Sequence, residues 1–379
     1  MKIKKEKLLI QPKDIKPSSA KFEVLSVMNP GATRLPNENI LLYVRVIEKL
    51  KKWEDKNFCY SPRYVGKEKF KIQIDRFSKK NIMDKSEVAF EFKNGTKRLT
   101  FISHFRKVIL DPKGEKVKFI DPKPSFFGLA WDGELGVEDA RITKIDDIYV
   151  MTYVNLSRDH NISTSYALSH DCNNWFRRGI IFKEQNKDVV IFPELINKKY
   201  IAFNRPEGNF QFSPPHIWIC ASKNLEYWGK AESVTLTKKE EWDYGRVGAG
   251  PPPIKTPEGW LLLYHAVQDK QEPLGHEGLL KKTFAHEETT MTYYYVGAAL
   301  FDLNDPSKLL KKTPKPIISP TKKYEKSSFE NKKVVFPTGL VASRKGKDIL
   351  IYSGAGDGAT TFRRIAISEI MKALKPIKL

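Results

Sequence analysis

The stretch Val137–Val154, VEDARITKIDDIYVMTYV, decides how this chain is read. It sets two adjacent carboxylates, Glu138 and Asp139, and one cation, Arg141, immediately before a strand-like run. Acids and an arginine at the mouth of a strand are costly to bury unless they do chemistry or hold a structure. Taken alone, such a pair more often makes a turn than a site. The form recurs, however. A Gly- or Pro-rich lead-in, a short strand, a turn and a strong strand appear again in NPGATRLPNENILLYVRV from Asn29 and IFPELINKKYIAFNRP from Ile191. Two more copies are GAGPPPIKTPEGWLLLYHAV from Gly248 and VFPTGLVASRKGKDILIYSGAG from Val335. A second element, strand then polar turn then aromatic, follows twice, in ALSHDCNNWFRRG with Trp175 and CASKNLEYWGKAE with Trp228.

Five copies of a multi-strand unit with few convincing helices predict an all-β chain built by radial repetition, a five-bladed β-propeller. A β-sandwich accounts for alternating strands but not for five matched lead-ins. The whole chain, 1–379, reads as one such domain, with a long charged insertion at about 47–100 in the first blade. That insertion is expected to hold extra strands and a loop or short helix around Val46 to Trp53. The polar segment 268–290 is expected as a lid-like loop over the channel mouth. Either Leu8–Ile10 or the C-terminal AISEI would complete a blade and close the ring.

Bulk properties narrow the classes of function. Hydrophobic residues at 40% and aromatics at 12% suffice for a substantial core, and no run of about 18 apolar residues suggests a membrane span. The N-terminal apolar run is too short for a secretion signal, and three cysteines without metal spacing suit a reducing cytoplasm. The net charge of +21 invites a nucleic-acid partner, but the cations are 51 Lys and 15 Arg, with the lysines scattered over turns and strand ends. Base readers favour arginine forks, so a solvated lysine surface is the better reading. His276 and His286 lack metal-ligand spacing, no metal site is expected, and GAGDGA (Gly354–Ala359) lacks the long helix of a dinucleotide fold.

Arranged about one axis, the lead-ins bring together Asn29, Glu138, Asp139 and Glu194, and the strand exits add Arg45, Arg158, Arg205, His265 and Asp357. Arg106 lies in a further arginine-bearing junction, SHFR. Carboxylates, arginines and aromatics around a funnel suit a sugar: aromatic faces stack on pyranose rings and acids protonate glycosidic oxygens. Water as nucleophile needs a second carboxylate, whereas phosphate needs a cluster of cations.

GVEDARI, NKDVVIFPE (Asn186–Glu194), NRP (Asn204–Pro206), GAGPPPIKT, GWLLLYHAV, GAALFDLNDPSK (Gly297–Lys308) and VVFPTG occur in an order that resembles glycoside hydrolase family 130, the β-mannoside phosphorylases. The resemblance runs from about Asn29 to Asp357 and excludes the insertion. It implies a five-bladed propeller and an inverting phosphorolysis of a β-mannoside, giving α-mannose 1-phosphate and a shortened acceptor. It implies no cofactor beyond inorganic phosphate as co-substrate. Asp139 takes the place of the family's general acid, whose proton passes through the mannose 3-hydroxyl. Arg158, Lys187, Arg205 and His265 correspond to phosphate binders, leaving Asn29, Arg45, Arg106, Glu138, Glu194 and Asp357 as candidate sugar-binding residues. The chain departs from the family at Ala140, often Pro, at Asn204, often His, and at Ala266, often Gly. Some members are hydrolases that use glutamates as base, so Glu207, directly after NRP, keeps an inverting β-mannosidase open. A non-catalytic carbohydrate-binding propeller is the third reading. Small carbohydrate and phosphate are the expected partners, with no nucleic acid and no membrane; a homo-oligomer is allowed, and linkage and acceptor are open.

Overall fold

The strand Ile40–Leu50, ILLYVRVIEKL, is buried along its whole length. That is why it reads as an apolar run rather than as an alternation: both of its faces are covered. Strands of this kind recur through the computed structural model, which describes residues 1–379 apart from 209–211, 235, 240, 274–287, 328–329 and 378–379.

The chain is all-β, and its antiparallel arrays follow one another in sequence. The first is Phe22–Arg34, Ile40–Leu50, Phe101–Leu110 and Val117–Ile120. The second is Gly136–Ile145, Ile148–Ser157, Asn161–Ser169 and Phe176–Phe182. The third is Asn186–Ile191, Tyr200–Pro206, Trp218–Ser222 and Trp228–Ser233. The fourth runs through Arg246–Ala249, Gly259–Pro273, Glu288–Phe301 and Leu309–Lys312. In the fifth, Lys332–Ala342, Asp348–Ala355 and Ala359–Ala366 are joined by the N-terminal strand Ile3–Ile10. A short parallel pairing, Thr292–Tyr294 on Lys332–Val334, links the fourth to the fifth. Of the two segments expected to complete a blade, the N-terminal strand is the one that joins an array. The AISEI segment instead enters the helix Ile367–Ala373.

Turn chemistry follows the sequence. Ile145 pairs with Ile148 across Asp146-Asp147, with Asp146 at φ 50°, a left-handed conformation that aspartate tolerates better than β-branched residues. In the turns before Trp175 and Trp228, the side chains of Asp171 and Asn224 accept backbone N–H groups.

Each major core cluster is shared by neighbouring arrays. Leu41, Tyr43, Phe105, Val137 and Met151 join the first to the second, and Val150, Tyr166, Val189 and Ala202 the second to the third. Phe192, Phe203, Trp260 and Leu262 join the third to the fourth, and Leu263, Val296, Ile349 and Ile351 the fourth to the fifth. Val27, Leu42, Val44, Leu350 and Phe362 return from the fifth to the first.

The insertion holds the pair Phe58–Tyr64 and Ile72–Ser78 and the three short strands Ile82–Lys85, Ala89–Phe92 and Lys97–Leu99. Of the loop or short helix expected around Val46 to Trp53, the structure has a loop at 51–53 and no helix. Val46 to Lys49 stay in the sheet, paired with Phe101–His104, because this apolar run is covered on both faces. The flanks of the expected lid continue the long hairpin, with Gln268 to Pro273 opposite Glu288 to Tyr293; residues 274–287, with His276 and His286, lie outside the described residues. Among the described residues no helix is long and apolar enough to cross a membrane.

Candidate active site

The lead strands of the arrays carry one repeated device. Two residues stand opposite one at Asn29-Pro30, at Asp139-Ala140 and at Asp188-Val189. These are β-bulges, which break the ladder locally and re-aim a side chain. The first residue of each has positive φ: 47° for Asn29, 52° for Asp139 and 56° for Asp188. A further register shift falls at Thr338 in the fifth array. Close packing at the centre demands small residues. A Cβ on Gly354 would fall 1.9 Å from Asn29 Oδ1, and one on Gly248 would fall 2.3 Å from Asp188 Oδ2 and 2.4 Å from His265 Cε1.

These bulges feed a cavity of about 280 Å³ lined by Asn29, Arg45, Asp139, Lys187, Arg205, Glu207, Arg246, His265, Tyr294, Lys332, Val334, Phe336 and Asp357. Asn29 Nδ2 donates to Asp139 Oδ1 at 2.8 Å, and Arg45 Nη1 donates to the same oxygen at 3.1 Å. Arg45 Nη2 pairs with Glu138. Burial raises the pKa of both carboxyls. For Asp139 the charges of Arg45, Lys187 and Arg141 and the Asn29 hydrogen bond outweigh burial and hold it below its ordinary value. Burial wins at Glu138, whose carboxyl is raised although Arg45 opposes this. Two adjacent acids are thereby driven apart, the usual way of giving them different roles.

Behind the cavity wall, Asp188 organises the cations. Its Oδ2 lies 2.8 Å from Arg205 Nη1 and 3.5 Å from His265 Nε2, and its Oδ1 lies 3.4 Å from Arg141 Nη2. Burial raises its carboxyl, but the charges of Arg205, Lys187 and Arg141 together pull it well below the usual range. Arg141 also donates from Nε to the Gly250 carbonyl at 2.8 Å, tying the second lead strand to the fourth. Arg205 Nη1 lies 3.0 Å from His265 Nε2. Because arginine can only donate, Nε2 is the acceptor and Nδ1 carries the proton. Burial, reinforced by Arg205 and against the pull of Asp188, keeps His265 well below its ordinary pKa and hence neutral.

Lys187 stands directly across the ladder from Arg205. Like charges so placed repel, and Lys187 has no ion pair or side-chain hydrogen bond among the described residues. Arg205 Nε, Arg45 Nε and His265 Nδ1 are buried without a hydrogen-bond partner among the described residues. Unpaired buried donors are costly, and an oxyanion in the cavity would offer acceptors to such a set. Burial also raises the Asp357 carboxyl, despite the nearby charges of Lys332 and Arg45.

The structure therefore gathers seven of the sequence candidates on one cavity: Asn29, Arg45, Asp139, Lys187, Arg205, His265 and Asp357. Glu138 sits beside it through Arg45. Three candidates lie elsewhere. Arg158 is a strand-exit residue whose fork is taken by Glu134, with Nε–Oε2 at 2.8 Å. Arg106 is fully buried, holding Glu48 Oε1 at 3.2 Å and the Lys16 carbonyl at 3.2 Å. Glu194 is beyond the end of its lead strand and pairs with Lys255 at the surface. The bulge of the third array falls earlier, so Asp188 holds the position that the sequence reading gave to Glu194. The signal was the acid one residue after Lys187, matching Glu138-Asp139. Arg246, Lys332 and Tyr294 had no local signal. Among the described residues no His, Cys, Asp and Glu cluster could hold a metal.

An all-β protein whose lead strands deliver a buried acid and a set of cations to one small cavity is of the class that handles a polyhydroxylated ligand together with an anion. The comparisons give the family. The profile of glycoside hydrolase family 130, described as beta-1,4-mannooligosaccharide phosphorylase, matches residues 87–376, and the chain belongs to this family. It is 34% identical to a beta-1,2-mannobiose phosphorylase of Listeria innocua over 98% of this chain and 97% of that one. It is 36% identical to a 1,2-beta-oligomannan phosphorylase of a Thermoanaerobacter species over 63% of this chain and 70% of that one. The solved structure of the Listeria innocua beta-1,2-mannobiose phosphorylase with beta-1,2-mannobiose is similar, with a TM-score of 0.80 and 33% identity over 96% of each chain.

Proposed function

We propose that this protein is an inverting β-mannoside phosphorylase, acting on a β-1,2-linked mannobiose or short oligomannoside. The observation that carries the proposal is that Asp139 shares one cavity with Lys187, Arg205, Arg246 and Lys332. Membership of the family and the likeness to β-1,2-mannoside phosphorylases support the reaction class. The β-1,2 linkage is preferred over β-1,4 because the likeness to the β-1,2 enzyme of Listeria innocua extends over nearly the whole chain.

The chemistry assigns work to each group. A phosphate oxygen forms a bond to the anomeric carbon as the glycosidic C–O bond breaks, and the configuration inverts. Asp139 supplies the proton that the departing sugar oxygen takes up; Asn29 and Arg45 orient its carboxyl. Lys187 and Arg205 hold phosphate, with His265 steadying the Arg205 fork as a neutral acceptor. Phosphate bound there brings negative charge close to Asp139, offsets the cations that keep this carboxyl ionised, and favours its protonated, donating form. Asp357, with its raised pKa, is suited to hydrogen-bonding sugar hydroxyls.

In the same reading the successive arrays are the blades of a five-bladed propeller forming one domain, 1–379. The return of the core from the fifth array to the first supports that reading. The three buried, unpaired cysteines agree with a cytoplasmic location. The test is to incubate the protein with β-1,2- and β-1,4-mannobiose, each with and without phosphate. Mannose 1-phosphate should form from the β-1,2 compound only when phosphate is present. Free mannose at equal rates without phosphate would replace this proposal with a β-mannosidase.

A further inference from the structure

We infer that Glu207 is a displaceable counter-ion that occupies the phosphate site's arginines in the ligand-free protein and so sets phosphate affinity. The inference rests on the phosphorylase reading above. Glu207 Oε1 lies 3.0 Å from Arg205 Nη2 and 3.7 Å from Arg246 Nη1, so one carboxylate oxygen stands between two cations of the cavity. The placement is close in distance but poor in direction: Oε1 is buried and accepts no hydrogen bond, and Arg205 Nε is likewise unpaired. A carboxylate in this position neutralises charge without satisfying the donors. Phosphate has more acceptor oxygens and can align with the guanidinium through paired bonds, so it is the better ligand for the same fork.

The surroundings give the displaced carboxylate somewhere to go. Glu207 follows directly on the strand Tyr200–Pro206, and its backbone N–H is held by the Gln185 carbonyl at 2.7 Å. Its main chain is thus fixed, while its side chain is 19% exposed. It lines both the inner cavity and a wider cleft of about 1030 Å³ that opens beyond it, and Arg246 and Lys332 are likewise shared between the two. Rotation towards that cleft would release Arg205 to phosphate and keep the carboxylate near Arg246.

The test is direct titration of the whole protein with inorganic phosphate by calorimetry, alongside KM measurements for phosphate and mannoside, in wild type and Glu207→Gln. The variant keeps the shape and removes the competing charge. It is expected to bind phosphate at least fivefold more tightly, with a fall in phosphate KM larger than any change in mannoside KM. Glu207→Asp, which keeps the charge on a shorter arm, should fall between the two; it carries the test if the Gln variant does not fold. Unchanged or weaker phosphate binding would overturn the inference, as would the loss in Glu207→Gln of a phosphate-independent release of mannose. If wild type forms no mannose 1-phosphate but Glu207→Gln still binds phosphate more tightly, the functional reading fails and the counter-ion stands. If wild type forms it and phosphate affinity does not rise in the variant, only the counter-ion fails.

Discussion

Asn29 and Asp139, 110 residues apart, meet through a 2.8 Å hydrogen bond because each is the first residue of a bulge in a neighbouring lead strand. The bond stabilises the ionised carboxylate and contributes to its lowered pKa. Replacing Asn29 by Asp removes that donor and adds a like charge, and both changes push the Asp139 pKa upward. If Asp139 donates the proton, the alkaline limb of the kcat/KM profile should move to higher pH in Asn29→Asp. A limb that stays in place or moves down would count against Asp139 as the group reported there.

Removing the acid itself is the blunter experiment. General acid catalysis contributes about 10²–10⁴-fold, so Asp139→Asn should cut turnover on β-1,2-mannobiose by about that factor. Thermal stability should change little, since Asn can keep a hydrogen bond to Arg45. Near-normal turnover in this variant would refute the assignment.

The cations proposed to hold phosphate are best probed at Lys187. Arg205 is bound to the buried Asp188 at 2.8 Å, and removing it would leave that carboxylate uncompensated, mixing stability with binding. Lys187 has no such tie among the described residues. Lys187→Ala is therefore expected to raise the phosphate KM by tenfold or more with a smaller effect on the mannoside KM. Arg158→Ala should leave the phosphate KM unchanged, because the Arg158 fork belongs to Glu134 and lies outside the cavity. Initial rates at varied phosphate separate the two outcomes.

The sequence made the arrays legible because burial on both faces writes itself as runs such as LLYVRV and WLLLYHAV, and turns write themselves as Asp-Asp or Gly-Asp-Gly. GVEDARI and NRP were legible because charges beside an apolar strand demand a reason. What stayed hidden was register. A bulge moves the inward residue by one, so Glu194 was read where Asp188 stands. Lys332 and Arg246 reach the cavity from the fifth and fourth arrays, and no local spacing records contacts between arrays. Arg106 and Arg158 show the converse: arginine at a strand junction marks a carboxylate to be paired, and the partners, Glu48 and Glu134, were not identifiable from the local pattern.

Gly248 is the point where a single methyl group should matter. The Cβ of Gly248→Ala would overlap Asp188 Oδ2 and His265 Cε1, both buried and held by Arg205. Overpacking of this kind costs about 1–3 kcal/mol. A lower melting temperature should accompany weaker phosphate binding, since moving Asp188 or His265 also moves Arg205. A variant as stable as wild type with normal phosphate KM would show that the centre yields more readily than this contact implies.

Glu48 gives the acid-stability prediction. It is fully buried and receives His104 Nε2 at 3.1 Å, Arg106 Nη2 at 3.2 Å and the Ser18 backbone N–H at 2.9 Å. Burial raises its carboxyl, but the hydrogen bond and charge of His104 and the hydrogen bonds from Ser18 outweigh this and bring its pKa down to about 2. A carboxyl depressed on folding binds fewer protons in the native state than in the unfolded one. Its contribution is therefore fully present above the ordinary glutamate value and is lost as pH falls from there towards 2. Urea unfolding midpoints should decline across that window in wild type. In Glu48→Gln the decline should be shallower, starting from a stability about 3–5 kcal/mol lower at neutral pH, because Arg106 is left buried without its counter-charge. Equal slopes in the two proteins would show that the acid limb belongs to other carboxylates.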